Sequence, residues 1–221
     1  MGIPGGGRPL RADARRNHAQ LLAAARDVVV ERGAGAPLDE VARRAGVGIG
    51  TLYRRFPSRP ELLRAVVVDA LQRTAEAAEL ALAEESDGFS ALVRYMHAVL
   101  DLRVSAVIPT VLDAMDLEDD DVRSAREVSA GLAQRIVDAA HADGSLAADI
   151  TFGDIGTLLV RLSRPLPGSI PSDVDEQLAH RHLDLVIDGL RPAPGRHVPG
   201  GPRLERHDLR SFRGSREAGG H

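Results

Sequence analysis

Between Val47 and Arg59 the sequence VGIGTLYRRFPSR gathers side chains that suit one kind of chemistry, the holding of phosphate oxygens. Thr51 and Tyr53 bring hydroxyl donors, while Arg54, Arg55 and Arg59 bring charged, fork-shaped ones. Gly48 leaves the amides of the next turn open to an anion, and Gly50 has no side chain to keep its backbone away from a ligand. A glycine inside a helix costs about 1 kcal/mol against alanine, so Gly50 serves something other than stability. Ile49 can add only apolar contact, against a thymine methyl or a sugar face. Leu52 and Phe56 lie four residues apart and are expected to face inward, anchoring the segment.

Other chemistries find little support. The 221 residues include no cysteine, which removes disulfides, thiolate metal sites and cysteine nucleophiles. His180 and His182 are spaced i,i+2 and point to different helix faces. EDDDVR at 118–123 lacks the glycine and distal glutamate of a calcium loop, and Ser105, Ser124 and Ser129 sit in no nucleophile motif. The PGGG and PGGP stretches follow no strand, so they are not phosphate cradles. No catalytic residue, metal site or cofactor is expected, and the chain is not read as an enzyme.

Charge is strongly segregated. Residues 1–66 carry net +6, residues 67–190 net −14 and residues 191–221 net +4. A polyanion would be met by the front of the chain and repelled by the body. No stretch approaches the roughly 18 apolar residues of a membrane span, and the N-terminus lacks the apolar core of a signal peptide. A cytoplasmic protein with no membrane partner is expected.

The elements that must position the 48–59 residues are helices. A first helix is predicted from a cap at Asn17, with Leu21, Leu22, Ala25, Val28 and Val29 at helical spacing and Gly33 as its left-handed stop. A second runs from about Leu38 to Ala45, with Asp39 and Glu40 in its first turn and Gly46 after its last. The third ends near Arg55, because Pro57 disfavours helical geometry at Phe56. Ser58, Pro60 and Glu61 then open a fourth helix with a capping box. Further helices are predicted at about 89–104, 106–116, 121–142, 152–163 and 173–190, with Asp-Gly pairs at 87 and 143 as punctuation. From Arg191 on, the chain is rich in Pro, Gly and Arg and is expected to be disordered.

Two short helices joined by AGVG, the second ending in aromatic and basic residues, have the spacing of a helix-turn-helix whose second helix enters the DNA major groove. In LDEVARRAGVGIGTLYRRFPSRPELLRAV, residues 38–66, the VA, AGV, GTLY, F and L positions resemble the DNA-binding domain of the tetracycline-repressor (TetR) family of transcriptional regulators. The resemblance covers about 50 residues from Arg15 to Val66. It implies an all-α homodimer, with an N-terminal three-helix DNA-binding domain, a connecting fourth helix, and a larger helical domain for ligand binding and dimerisation. Positions matching Gly50, Thr51, Tyr53 and Arg59 commonly touch DNA in that family. This sequence departs from the family at Pro37, Gly48 and Ile49, where hydroxyl or polar residues are common. The domains are accordingly expected at 1–14 (flexible basic arm), 15–60 (DNA binding), 61–190 (ligand binding and dimerisation) and 191–221 (disordered tail).

The stretches TFGDIGTLLVRLSRPLPG and HRHLDLVIDGL resemble the SbtR-like C-terminal domain found in part of the family. The last helix is apolar nearly all round, so it is expected to be buried on two sides, one of them by a second subunit. Ile155, Leu158, Leu159, Leu162, Leu183, Val186, Ile187 and Leu190 are the candidate dimer residues. Met96, His97, Leu100, Arg103, Met115 and Arg161 are candidate contacts of an unknown small-molecule effector, being polar or flexible groups within apolar helices. The function read from the chain is a ligand-responsive regulator, a repressor released by an inducer from near-palindromic double-stranded operator DNA. The alternative is a helical dimer whose larger domain binds a protein partner and no metabolite.

Overall fold

The computed structural model describes residues 8–103, 105, 107, 111 and 119–205. Among them every regular element is a helix. The α-helices are α1 (Arg8–Arg32), α2 (Leu38–Arg44), α3 (Ile49–Arg55), α4 (Arg59–Glu84), α5 (Gly88–Asp101), α6 (Asp120–Ala142), α7 (Phe152–Leu162) and α8 (Ser172–Ile187), followed by a 3-10 turn at Asp188–Leu190. The chain divides into two compact units. The first holds residues up to Ala70 with those described between Val107 and Val122, and the second takes Leu71 onward.

The first unit is built on α1, α2, α3 and the start of α4. Leu21, Leu22, Ala25, Val28 and Val29 of α1, Val41 and Ala42 of α2, Leu52 of α3 and Leu62, Leu63 and Val66 of α4 are all buried. The loops between them follow local chemistry. Gly33 and Gly46 adopt φ of 83° and 68°, the left-handed geometry that glycine takes without cost. The Val47 amide reaches the Ala42 carbonyl at 3.0 Å to close α2. At the start of α4, Ser58 Oγ accepts from the Glu61 amide at 3.4 Å and donates to the Glu61 carboxylate at 3.0 Å. Arg44 grips Glu31 with two bonds of 2.7 and 2.8 Å, which fixes α2 against α1.

The predicted start of α1 is corrected. Asn17 is not a cap: the helix begins at Arg8, and residues 8–14, expected as a flexible arm, are helical. The run from Arg8 to Gln20 holds no glycine and, past Pro9, no proline, so nothing local stops the helix from extending backward. Pro9 itself falls in the first turn, where its missing amide proton is no loss.

The second unit packs α5, α6, α7 and α8 around Phe89, Leu92, Met96, Val99, Leu132, Ile136, Ile155, Leu159 and Leu183. Asp87 caps α5 by accepting from the Ser90 amide at 2.8 Å, and the Asp143 carboxylate accepts from the Gly88 amide at 2.7 Å. Both carboxyls are held below the ordinary aspartate range, Asp87 by its Ser90 bonds and Asp143 by bonds from Ser145 and Gly88. Thr151 and Asp154 form a reciprocal capping box on α7.

The described part of the expected disordered tail is also corrected. Arg191 lies over the Phe89 ring at 3.7 Å. Arg196 pairs with Asp149 at 2.6 Å and donates to the Gly189 carbonyl at 2.8 Å. Leu204 O accepts from the Gly153 amide at 3.0 Å and from Thr151 Oγ1 at 2.9 Å. Composition argued for disorder, but a few charged and backbone bonds tie this irregular segment down.

Candidate nucleic-acid interface

Helix α3 sorts its residues by face. Leu52 and Phe56 are 0% and 6% exposed, whereas Ile49 and Tyr53 are 42% and 50% exposed. Gly48, Gly50, Arg54 and Arg55 are exposed with them, and Thr51 is half-buried. The i,i+4 pair anchors the helix, and the residues between form a surface strip about two turns long. No Cβ built on Gly48 or Gly50 would meet another atom within 4 Å. Packing therefore does not require glycine at either position.

Electrostatics separates the arginines of α2 from those of α3. On α2, Arg43 bonds Glu40 at 2.6 and 3.1 Å, and Arg44 is paired with Glu31. The Glu40 carboxyl is held below its ordinary range by the Arg43 hydrogen bond and, more weakly, by nearby Arg32 and Arg44. Among the described residues no carboxylate pairs with Arg54 or Arg55. Their charge is left for a polyanion.

Arg59 differs from these. It is half-buried, and its Nη1 donates to the backbone carbonyls of Ala34, at 3.0 Å, and Ala36. It braces the α1–α2 loop against the start of α4. A phosphate approaching Arg59 would compete with these bonds, a cost the sequence did not reveal.

One residue of this surface escaped sequence reasoning. His18 on α1 lies 5.8 Å from Phe56, ring centroid to ring centroid. Its Nδ1 accepts from Arg55 Nε at 3.3 Å. A groove of about 290 Å³ runs beside them, lined by Asn17, His18, Leu21, Thr51, Arg54 and Arg55. Burial and then the Arg55 charge hold the His18 imidazole below its ordinary pKa, opposed by Asp69. The signal was a histidine one turn before Leu21, hidden because Asn17 was read as a helix start.

The effector candidates do not gather at one place. Met96 is fully buried in the core of the second unit and is a packing residue. Leu100 and Arg103 line a crevice of about 70 Å³ with Asp101, Ser163, Glu176 and His180, where Arg103 lies 3.5 Å from Glu176. Arg103 also has a φ of 50°, uncommon for a residue with a side chain. His97 faces His180, and Arg161 is exposed at the end of α7. Met115 lies outside the described residues, as does most of the helix predicted at 106–116.

Half of the candidate dimer residues are corrected. Ile155, Leu159, Leu183 and Leu190 are 3%, 2%, 0% and 9% exposed within a single chain, so they are core and have no surface to offer a partner. Leu158, Leu162 and Ile187 are partly buried against that core. Val186 is 37% exposed, and its neighbour Leu185, which is not among the candidate dimer residues, is 68% exposed.

A helix-turn-helix whose basic outer arginines pair with no carboxylate among the described residues, in a chain whose helices α5 to α8 pack into a second unit, defines a DNA-binding transcriptional regulator. Residues 21–66 match the family model described as bacterial regulatory proteins, tetR family. Residues 87–192 match the transcriptional regulator SbtR-like C-terminal domain. The TetR transcriptional regulator SCO0520 of Streptomyces coelicolor is 32% identical, with 80% of this chain and 99% of that one covered and a TM-score of 0.58. A TetR transcription regulatory protein of Mycobacterium vanbaalenii is also 32% identical, covering 83% and 100% of the two chains at a TM-score of 0.60. The HTH-type transcriptional activator FasR of Mycolicibacterium smegmatis is 38% identical over 96 residues, 43% of either protein, so the match spans under half of that relative's length. The chain belongs to the TetR family of transcriptional regulators. No helix among the described residues is long and apolar enough to cross a membrane.

Proposed function

We propose that this regulator is a cytoplasmic homodimer that places α3 of each subunit in successive major grooves of a near-palindromic operator and is released by a small-molecule inducer. The observation that carries the DNA-binding part is the sorting of α3. Two large apolar residues are sealed inside, while Ile49, Tyr53, Arg54 and Arg55 stand outside, and among the described residues no carboxylate pairs with either arginine. In this reading Tyr53, Arg54 and Arg55 hold phosphates, Thr51 adds a hydroxyl donor, and Gly48 and Gly50 let the backbone come close. Arg59 acts mainly by bracing the loop. Residues 15–60 serve DNA binding and 61–190 serve sensing and dimerisation. Dimerisation uses the exposed flank of α8, with Leu185 and Val186, beside the partly buried Leu158, Leu162 and Ile187.

The effector reading is supported by polar groups near the C-terminal ends of α5 and α7 and along the middle of α8, where Arg103 and His180 share a crevice with Leu100. By reciprocity, an inducer that lowers operator affinity must itself bind less tightly to the DNA complex. The name of the FasR relative speaks for activation as the second reading of the regulatory sign. Fluorescence anisotropy with DNA upstream of the gene tests the proposal. Tyr53→Ala with Arg54→Ala is expected to lose operator binding while the circular dichroism spectrum stays unchanged. Retained affinity in that folded variant would refute the α3 assignment.

A further inference from the structure

The second unit contains a side-chain cluster that neither DNA binding nor core packing uses. His97 on α5 and His180 on α8 have near-parallel rings, within 3°, with centroids 5.1 Å apart. Their Nδ1 atoms approach to 2.8 Å. The outer nitrogens are each backed by a carboxylate: His97 Nε2 lies 3.2 Å from Asp184 Oδ1, and His180 Nε2 lies 2.9 Å from Asp101 Oδ1. An ionised carboxylate can only accept, so each Nε2 carries a proton. The two Nδ1 atoms point at each other in one hydrogen bond, which takes a single proton between them. A metal ion that binds both nitrogens must displace that proton.

The arrangement has the parts of a metal site: two imidazole nitrogens converging from different helices, each ring oriented by a carboxylate on its far side. A tetrahedral zinc-class ion with bonds of about 2.0–2.1 Å holds two nitrogens roughly 3.3 Å apart. The rings must part by about 0.5 Å and swing out of their edge-to-edge alignment so that both lone pairs turn toward one ion. Both side chains are about 30% exposed, at 28% and 30%, so an ion can reach them. Asp101, Asp173, Glu176 and Asp184 line the depression around His180 with Arg181, and Arg103 lies 3.5 Å from Glu176; four acids against two arginines leave a field that concentrates cations. Among the described residues no three His, Cys, Asp or Glu gather as metal ligands. The chain therefore supplies two donors and leaves the other positions to water or to an effector's own atoms.

We propose that His97 and His180 form a site for a divalent transition-metal ion, oriented by Asp101 and Asp184, and that the ion is part of the signal the larger unit senses. Imidazole donors suit zinc, nickel and cobalt over calcium or magnesium. The ion would cross-link α5 to α8 through two residues 83 positions apart in the sequence. The proposal deepens the sensor reading and rests on it.

The full-length protein is titrated with Co2+ and followed by visible absorption, then with Zn2+ by calorimetry, at pH 7.5. The expected result is one ion per chain with a dissociation constant in the micromolar range. His97→Gln with His180→Gln should abolish binding. Asp101→Asn and Asp184→Asn keep both rings and should each weaken binding about 10–100-fold. Absence of binding, or binding indifferent to all four changes, would overturn the site, since other histidines would then hold the ion. Operator affinity is measured separately with and without Zn2+. A bound ion that leaves operator affinity unchanged would refute its role as a signal and keep the site, while loss of the site alone would leave the DNA-binding reading intact.

Discussion

Replacing Gly50 by alanine sets stability against DNA binding in a single substitution. Gly50 is the second residue of α3 and is exposed. It is absent from the glycines with positive φ, and a Cβ built on it meets nothing within 4 Å. The folded protein therefore accepts the methyl group without strain. Alanine lowers the entropy of the unfolded chain and favours the helix, so Gly50→Ala should stabilise the first unit by about 0.4–1 kcal/mol. For a unit of this size that corresponds to a rise in Tm of roughly 2–8 °C. On DNA the same methyl projects where the backbone is to lie against sugar and phosphate, and a loss of about tenfold or more in operator affinity is expected, about 1.4 kcal/mol. Thermal denaturation by circular dichroism and anisotropy with labelled operator at fixed salt measure the two effects. A variant that is more stable and binds equally well would refute the idea that this glycine serves close approach. A less stable variant would refute the open space around it.

The two roles assigned to arginine can be separated by salt. Arg54→Ala removes two phosphate contacts from a dimer and should lower the slope of log affinity against log salt by about 2, whereas Arg59→Ala should weaken binding and loosen the first unit with the slope nearly unchanged. For His18, the folded-state pKa is depressed, so the unfolded chain binds the proton more readily, and the stability tied to neutral His18 is present above the unfolded value of about 6.5 and lost as pH falls. His18→Gln should flatten the pH dependence of the first unit's melting below about pH 6.5, and an unchanged profile would place the effect elsewhere. Gly153→Ala puts a Cβ 2.0 Å from Leu204 O; the tail must move, forfeiting two hydrogen bonds worth about 1–3 kcal/mol together. Tryptic cleavage at Arg203 should accelerate in that variant, and an unchanged rate would mean the tail does not dock as seen.

Sequence by itself located the helix-turn-helix and sorted its faces. The signals there are local. Gly33 and Gly46 take left-handed geometry, Ser58 and Glu61 close a box three residues apart, and Leu52 and Phe56 share a face because helical period demands it. Each depends on neighbours within about one turn, which a single chain displays directly. Where a local signal was misread, as at Asn17, the helix start moved by nine residues, from Asn17 to Arg8, and His18 was lost with it.

Only the tertiary structure decided what meets what across the chain. An all-round apolar pattern on α8 cannot say which side its own core takes, yet Leu183 is sealed while Leu185, two residues on, is 68% exposed. Arg59 found loop carbonyls more than 20 residues away, and the tail found the start of α7 through Gly153. His97 and His180 were read apart because nothing local joins them. Such pairings follow from how helices cross and pack, and that geometry is a property of the whole fold with no signature in the spacing of nearby residues.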